Sequence, residues 1–327
     1  MSKTRKFFTL CICVLCSLVF AYPKYYNTDT KAKSITSDKY VFETYSIKRS
    51  DVSGPDINYY LSRPDTNNYP IVVFVGGSTD KDHLASVAKF HRYFWNDISQ
   101  TNLGVISVEP WGINGDKISP DEFMAHYTKT QILHNYQQVI DHIKKYPPIG
   151  WNGKLALLGV SEGVDIEIGL NENKSNNVLA TVYWSGPSDW SWQDELWVDV
   201  PPICKSMPTL EDCKYFRTRA EYDLKMNEIL KNPTPNRYFF NMTYLYMADA
   251  LNFNAPDYKN MHGSLLMVSG TKDTSIQGID DFYRKAKAND VDITYWRIEG
   301  MDHYIRKRPD LITNSFVWLK NSLSFKK

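Results

Sequence analysis

One serine lies where a nucleophile would be useful, on a glycine-bounded turn at the end of an apolar run. Residues 159–163 have the sequence Gly-Val-Ser-Glu-Gly and directly follow residues 154–158, whose apolar pattern predicts a buried strand. A strand that ends at such a turn and reverses into a helix leaves the oxygen of Ser161 above the sheet. Because glycine and serine are common in turns, this pentapeptide alone is weak evidence for a nucleophile.

A carboxylate and a histidine follow two later strand patterns. Residues 265–269 predict a second buried strand, and Asp273 lies just beyond it. Residues 293–298 alternate like a strand, and His303 lies on the loop after them. Such a histidine can take the proton of a serine while an acid orients its imidazole. Each residue also has a purely structural interpretation, as a turn or cap residue (Ser161, Asp273) or as a solvated loop residue (His303).

Strand and helix patterns alternate from residue 70 onward. This alternation predicts a mostly parallel sheet with helices on both faces and ligands at the carboxyl ends of its strands. One helix is predicted over residues 84–98 and another over residues 128–145. The alternation of strands and helices is interrupted over residues 188–262, where two helical patterns (219–230 and 237–251) lie among many aromatic residues.

The order Ser161, Asp273, His303, each after a strand, resembles the α/β-hydrolase family, whose triad has the order Ser, Asp or Glu, His. The resemblance covers residues 41–323 and implies an α/β fold with a mainly helical cap insertion at residues 188–262. It implies cleavage of a carboxylic ester or related acyl bond through an acyl-enzyme, without a metal or an organic cofactor. Asp189 is the reserve acid, because some members carry theirs after the preceding strand.

A developing oxyanion needs N–H donors that are already in place. The resemblance assigns one to the backbone of Glu162 and the other to Gly77 or Ser78, in the loop after the strand at 70–75. Val75 stands where members often have a histidine, and Gly-Gly-Ser is instead similar to dienelactone-hydrolase-like and acyl-thioesterase members. A second departure is the β-branched, acidic run 164–168, which predicts a short or distorted helix whose carboxylates either raise the pKa of His303 or face solvent.

The chain starts with a basic patch, an apolar stretch and a small residue, Ala21. This pattern predicts a secretory signal peptide over residues 1–21 and therefore export to the periplasm or the medium. The alternative is an uncleaved anchor, although the stretch is shorter than the roughly 20 residues that a span needs. Residues 22–39 form a polar lead-in, and the hydrolase core takes residues 40–187 and 263–327.

Cys204 and Cys213 are the cysteines that remain after cleavage. Their spacing in an exported chain predicts a disulfide, which contributes about 2 to 3 kcal/mol in the chain-entropy model. The alternative is two unpaired thiols.

Trp190 and Trp192 belong to a group of four tryptophans within residues 184–197. They are candidates for an aromatic wall that binds an acyl or aryl group, and the alternative is packing between cap and core. The acids among them either receive a cationic group, such as a peptide amine, or face solvent.

The net charge limits the classes of partner that this protein is expected to bind. A net charge of +1 over 327 residues gives no global field that would favour nucleic acid or an anionic membrane surface. We therefore expect a small-molecule acyl substrate and no stable membrane association after cleavage. An esterase is the first expectation, a thioesterase or dienelactone-hydrolase-like enzyme the second and an exported peptidase the third; the non-enzyme alternative is a binding protein that kept the fold and lost turnover.

Overall fold

The structure, a computed structural model, describes residues 40–50, 53–207 and 209–325. The predicted signal peptide and lead-in lie outside these residues. The strands, in chain order, are β1 (Tyr40–Ile47), β2 (Ile57–Pro64), β3 (Tyr69–Val75), β4 (Gly104–Val108), β5 (Ile113–Asn114), β6 (Lys117–Ile118), β7 (Trp151–Val160), β8 (Val178–Trp184), β9 (Tyr238–Phe239), β10 (Met242–Thr243), β11 (Ser264–Gly270) and β12 (Ile293–Ile298).

The main sheet has eight strands in the order β1-β2-β4-β3-β7-β8-β11-β12. β2 pairs antiparallel with β1 and β4, and every later pair is parallel. The central strands are apolar and buried along most of their length, as expected for parallel strands that are covered on both faces. The predicted α/β fold with a mostly parallel sheet is confirmed.

Helices cover both faces of this sheet. The helices are α1 (Ala88–Tyr93), α2 (Trp95–Thr101), α3 (Pro120–His126), α4 (Lys129–Lys145), α5 (Glu162–Glu172), α6 (Trp192–Ser206), α7 (Arg219–Lys231), α8 (Tyr244–Asn252), α9 (Ile276–Ala288) and α10 (Pro309–Phe325). Of these, α1, α2 and α10 pack on one face of the sheet, and α4, α5 and α9 pack on the other.

Three helix predictions differ from the structure. The single helix predicted over 84–98 is two short helices that meet at Phe94. The helix predicted to start at residue 237 begins at Tyr244, because β9 and β10 form a hairpin before it. The helix after residue 161 is regular over 11 residues, since its β-branched side chains are buried against the sheet and packing outweighs their low propensity.

Residues 188–262, here called the 188–262 segment, lie between β8 and β11 and carry α6, α7, α8 and the β9–β10 hairpin. Their apolar side chains form a cluster with those of α3, separate from the clusters on the two faces of the sheet. Cys204 and Cys213 lie in this segment with their Cα atoms 5.5 Å apart, which allows the predicted disulfide. Among the described helices, none combines the length and apolar character needed to cross a membrane.

Candidate active site

Ser161 lies on a strained turn between β7 and α5. Its φ of +54° and ψ of −124° are unusual for a residue with a side chain and cost about 1–3 kcal/mol. The turn is held by a hydrogen bond from the amide of Ser161 to the carbonyl of Trp184, at 2.9 Å. A Cβ atom at Gly163 would lie 2.3 Å from the carbonyl oxygen of Val75, so this position requires glycine. The turn thus presents a partly exposed serine at the carboxyl end of the sheet.

His303 and Asp273 form a hydrogen-bonded chain with this serine. His303 Nε2 lies 3.0 Å from Ser161 Oγ, and His303 Nδ1 lies 2.8 Å from Asp273 Oδ2. The histidine side chain is 23% exposed, whereas the carboxylate is fully buried. Burial alone would raise the pKa of Asp273, but the adjacent His303 outweighs it and lowers that pKa. A base with its own buried orienting acid is thus within reach of the serine oxygen.

The loops that carry these two residues are joined to each other. The amide of Lys272 donates to the carbonyl of Met301 at 2.9 Å, and a Cβ atom at Gly270 would lie 2.0 Å from the same oxygen. The hydroxyl of Ser185 donates to the carbonyl of His303 at 2.6 Å. Backbone contacts therefore fix the loops after β11 and β12 relative to β8.

Two other carboxylates near this end of the sheet are engaged elsewhere. Asp189, the reserve acid, accepts from the hydroxyl of Tyr258 at 2.5 Å and pairs with Lys285. Asp302 accepts from the amide of Tyr304 at 3.0 Å and pairs with Lys307. The structure therefore favours Asp273 as the partner of the histidine, although Asp273 also accepts from the amide of Ser275 at 3.2 Å, as a helix-capping residue would.

Three carboxylates raise the pKa of His303. Burial by itself lowers this pKa, because it disfavours the imidazolium. The carboxylates of Asp273, Asp199 and Glu195 outweigh burial and raise the pKa to about 8. Asp199 and Glu195 lie on α6, so these two charges belong to the 188–262 segment.

The acids of α5 were the sequence-based candidates for this effect, and their surroundings differ from that expectation. Glu167 is fully buried beneath the turn, where burial raises its pKa well above the usual value. Asp165 pairs with the buried Lys129 at 2.6 Å. Neither residue simply faces solvent, and the carboxylates that act on His303 come from α6 in addition to Asp273.

The predicted oxyanion donors lie on adjacent segments. Glu162 is the first residue of α5, so its amide has no partner within the helix. Gly77 and Ser78 follow β3, the neighbour of β7, and the close approach of Gly163 to the end of β3 brings the two segments together. The amide of Thr79 donates to the hydroxyl of Tyr127 at 3.3 Å. A donor at Gly77 or Ser78 stays a prediction.

A cavity of about 90 Å³ lies beside these segments. Its lining includes the loop 76–79 and Glu162 together with mainly apolar side chains, while Ser161 and His303 lie outside the lining. The apolar part of the lining consists chiefly of Val75, Ala85, Val87, Phe90, Val108, Pro110, Ile113 and Ile132.

Trp190 and Trp192 lie outside this lining as well. The indole of Trp190 donates to Asp281 at 3.0 Å and packs against Gly278 of α9. The ring of Trp192 meets that of Tyr246 edge to face, with centroids 5.8 Å apart. Both tryptophans therefore have packing roles, and contact with a substrate stays a prediction.

Sequence reasoning missed the aromatic surroundings of the Glu162 carboxylate. Tyr127 and Tyr246 both donate hydrogen bonds to it, from positions 35 and 84 residues away in the chain. A charged residue directly after the candidate nucleophile was the one available signal. Among the described residues, no group of three or more His, Cys, Asp or Glu side chains is arranged to hold a metal ion.

Solved structures share this fold. An esterase from the archaeon Pyrobaculum calidifontis matches 86% of this chain over 83% of its own, with a TM-score of 0.57 and 15% sequence identity. The chain has the α/β-hydrolase fold. Two further examples of the α/β-hydrolase fold differ in how much of their length is matched. Est1E from Butyrivibrio proteoclasticus, with ferulic acid bound, matches 83% of this chain over 96% of its own (TM-score 0.56, 14% identity).

The acylaminoacyl peptidase of Pyrococcus horikoshii matches 86% of this chain, which spans only 41% of the peptidase (TM-score 0.55, 13% identity). No protein-family model and no curated protein matches the sequence. At these identities the likeness to the solved structures concerns the α/β-hydrolase fold alone.

Proposed function

We propose that this protein is a serine hydrolase that cleaves a carboxylic ester or a related acyl bond. The observation that carries the proposal is the hydrogen-bonded chain from Ser161 Oγ through His303 to Asp273, at 3.0 and 2.8 Å. These two hydrogen bonds have the connectivity of a Ser-His-Asp triad. They occur at the turn where the α/β-hydrolase fold presents its nucleophile.

In the proposed reaction, Ser161 Oγ attacks the carbonyl carbon while His303 Nε2 takes the serine proton. Asp273 holds the tautomer that leaves Nε2 free to accept and stabilises the imidazolium that forms. The amides of Glu162 and of Gly77 or Ser78 stabilise the oxyanion. The imidazolium then gives its proton to the leaving alcohol. Water, deprotonated by the same histidine, then attacks the acyl-serine ester. The bond to Ser161 Oγ breaks, the imidazolium returns its proton to that oxygen, and the acid is released.

Esters with a small acyl or alcohol group are the first substrates to test. The cavity of about 90 Å³ beside the proposed oxyanion donors is mostly apolar. It is smaller than the roughly 150 Å³ cavity that can hold benzene, so we expect it to take a short aliphatic group. Two of the structural neighbours, the Pyrobaculum esterase and Est1E with ferulic acid, support an ester or an acid as ligand.

A peptidase that acts on an aminoacyl group is the second candidate. Asp199 places negative charge near His303, where a substrate ammonium group would be attracted. Glu195 adds to this charge only at alkaline pH, because burial raises its pKa to about 8. Hydrolysis of amino-acid amides but not of simple esters would favour this candidate. The third candidate is a protein that kept the fold and binds without turnover, for which the 2.8 Å contact between Asp273 and His303 gives no support.

Covalent labelling of the folded, full-length protein with a fluorophosphonate tests the proposal. We expect the label on Ser161 alone, located by mass spectrometry of peptides, because only an activated serine reacts quickly. Ser161→Ala should take up no label. Folded wild-type protein that takes up no label would contradict the proposal and favour the binding protein.

The activity should depend on pH through His303, which must be neutral to accept the serine proton. In the free enzyme the pKa of His303 is raised to about 8. We therefore expect kcat/KM to rise with pH through this value and to be about a tenth of its plateau at pH 7. Asp199→Asn removes a carboxylate that favours the imidazolium, so the rise should move to lower pH. Asp280→Asn, which removes a carboxylate paired with Arg297, serves as the control and should not move it. An Asp199→Asn profile that matches the wild type would rule out this electrostatic link.

A further inference from the structure

The carboxylate of Glu162 lies between two tyrosines. The hydroxyl of Tyr127 donates to Oε1 at 2.5 Å, and the hydroxyl of Tyr246 donates to Oε2. The two phenol rings stack with centroids 5.2 Å apart and planes 4° from parallel. All three residues are buried, with 8%, 5% and 2% of Glu162, Tyr127 and Tyr246 exposed. Both carboxylate oxygens are therefore held by rigid donors in a site that largely excludes water.

These contacts join the two segments that supply the proposed oxyanion donors. The backbone of Glu162 belongs to the turn after Ser161, and its side chain accepts from Tyr127. The same Tyr127 hydroxyl accepts from the amide of Thr79 at 3.3 Å. Thr79 directly follows Ser78 in the glycine loop. One phenol oxygen thus fixes the spacing between the helix start and the loop.

The second donor to the Glu162 carboxylate, Tyr246, comes from a distant part of the chain. Tyr246 lies on α8 in the 188–262 segment, 84 residues beyond Glu162. The ring of Trp192, at the start of α6, packs against Tyr246. The 188–262 segment therefore contacts the oxyanion region through a hydrogen bond to a single carboxylate.

Burial and the neighbouring charged and polar groups have opposite effects on the pKa of Glu162. Burial raises the pKa of Glu162, while Lys129 and the two phenol donors act to lower it. Lys129 is buried as well, and its ammonium group pairs with Asp165 at 2.6 Å. A buried carboxylate with two donors and a nearby cation resists displacement, because any movement leaves a polar group unpaired.

We infer that the side chain of Glu162 is a positioning group that sets the distance between the two halves of the oxyanion hole and couples that distance to the 188–262 segment. The inference rests on the proposed function, because it concerns the transition state of that reaction. Both carboxylate oxygens are engaged by the phenol hydroxyls, so the carboxylate itself takes no chemical part in the reaction. It acts through Tyr127 and through the backbone amide of Glu162, which is one of the two proposed oxyanion donors.

Removing one phenol hydroxyl should loosen this spacing and leave the triad in place. Oxyanion contacts act on the transition state more than on the bound substrate, so the loss should appear in kcat. Loss of a whole donor costs about 10²–10³ in kcat, and we expect a displaced donor to cost about 10- to 100-fold. Tyr246 does not line the cavity beside the oxyanion donors, so Tyr246→Phe should change KM by less than about threefold. Tyr127 does line that cavity, so Tyr127→Phe is expected to change KM as well.

The experiment compares Tyr127→Phe and Tyr246→Phe in the full-length protein with p-nitrophenyl acetate as the probe. Tyr222→Phe is the matched control, because Tyr222 is equally buried in the 188–262 segment and its hydroxyl donates to the carbonyl of Gln193 at 2.7 Å. Each Phe variant should lower the melting temperature by about 2–4 °C. Only the first two should lose kcat.

The double variant tests whether the tyrosines act through one group. If both position the same carboxylate, Tyr127→Phe and Tyr246→Phe together should lose little more than the worse single variant. Glu162→Gln supplies a second measurement if a Phe variant fails to fold. Its amide keeps one acceptor oxygen, so it should retain more kcat than Glu162→Ala.

Two results would overturn the inference, and they differ in what they say about the proposed function. If the wild type is labelled at Ser161 and turns over ester while Tyr127→Phe and Glu162→Gln keep full kcat, the coupling is wrong and the serine hydrolase stands. If the wild type neither takes up label nor turns over ester or amide, the proposed function is wrong. The role of Glu162 in positioning an oxyanion hole is then wrong as well.

Discussion

Replacement of Ser161 by alanine should lower kcat at least about a thousandfold and leave the fold intact. The substitution removes only the Oγ hydroxyl, which donates to His303 Nε2 at 3.0 Å in the tautomer that the proposed reaction requires. Alanine keeps the Cβ atom, so the strain at the positive φ of this turn is unchanged. Steady-state hydrolysis of p-nitrophenyl acetate and a thermal melt of the same sample measure the two effects.

Ser269→Ala is the control for this loss. Ser269 lies near the carboxyl end of β11, is fully buried, and its hydroxyl makes no hydrogen bond within the described part of the chain. Its replacement should leave kcat unchanged. Full activity in Ser161→Ala would remove the nucleophile from the proposed reaction and require another residue in that role.

The second large effect is expected for Asp273→Asn, which should lower kcat by about ten-thousandfold. The amide cannot stabilise the imidazolium, and its NH₂ group can turn toward His303 Nδ1, which favours the tautomer that carries the proton on Nε2. The contact between position 273 and the amide of Ser275 can persist through the remaining amide oxygen, so the loop should hold its conformation. kcat and the melting temperature of the variant report the two expectations separately.

Asp189→Asn decides between the two candidate acids. Asp189 is engaged by Tyr258 and Lys285, so its replacement should cost stability and change kcat by less than about threefold. The opposite pattern, with an active Asp273→Asn and an inactive Asp189→Asn, would move the orienting role to the reserve position after β8.

Much of the fold could be predicted from the sequence because the central strands are buried on both faces. Continuous apolar runs such as those of β3, β7 and β11 give a strong local signal, and the alternation with helices gives the parallel order. The order of Ser161, Asp273 and His303 then placed all three at one edge of the sheet. The 2.8–3.0 Å contacts follow from that placement.

The rest of the site depends on contacts that no local pattern contains. Tyr246 reaches Glu162 only because the 188–262 segment folds back over the carboxyl edge of the sheet. The same fold brings Asp199 toward His303, whereas on α5 Asp165 pairs with Lys129 and Glu167 is fully buried. The regular helix α5 was missed for a related reason, since burial of its β-branched residues outweighs their intrinsic preference.

The close approach of Gly270 to Met301 has a consequence for how this chain could be remodelled. A residue inserted into the loop after β11 would shift Asp273 and push against the neighbouring loop at the same time. The acid and the base therefore belong to one unit whose two loops can change length only together. A 188–262 segment taken from another protein of this fold would need to supply a carboxylate in place of Asp199, which accepts from the hydroxyl of Ser275 in this unit, and a hydroxyl at the place of Tyr246.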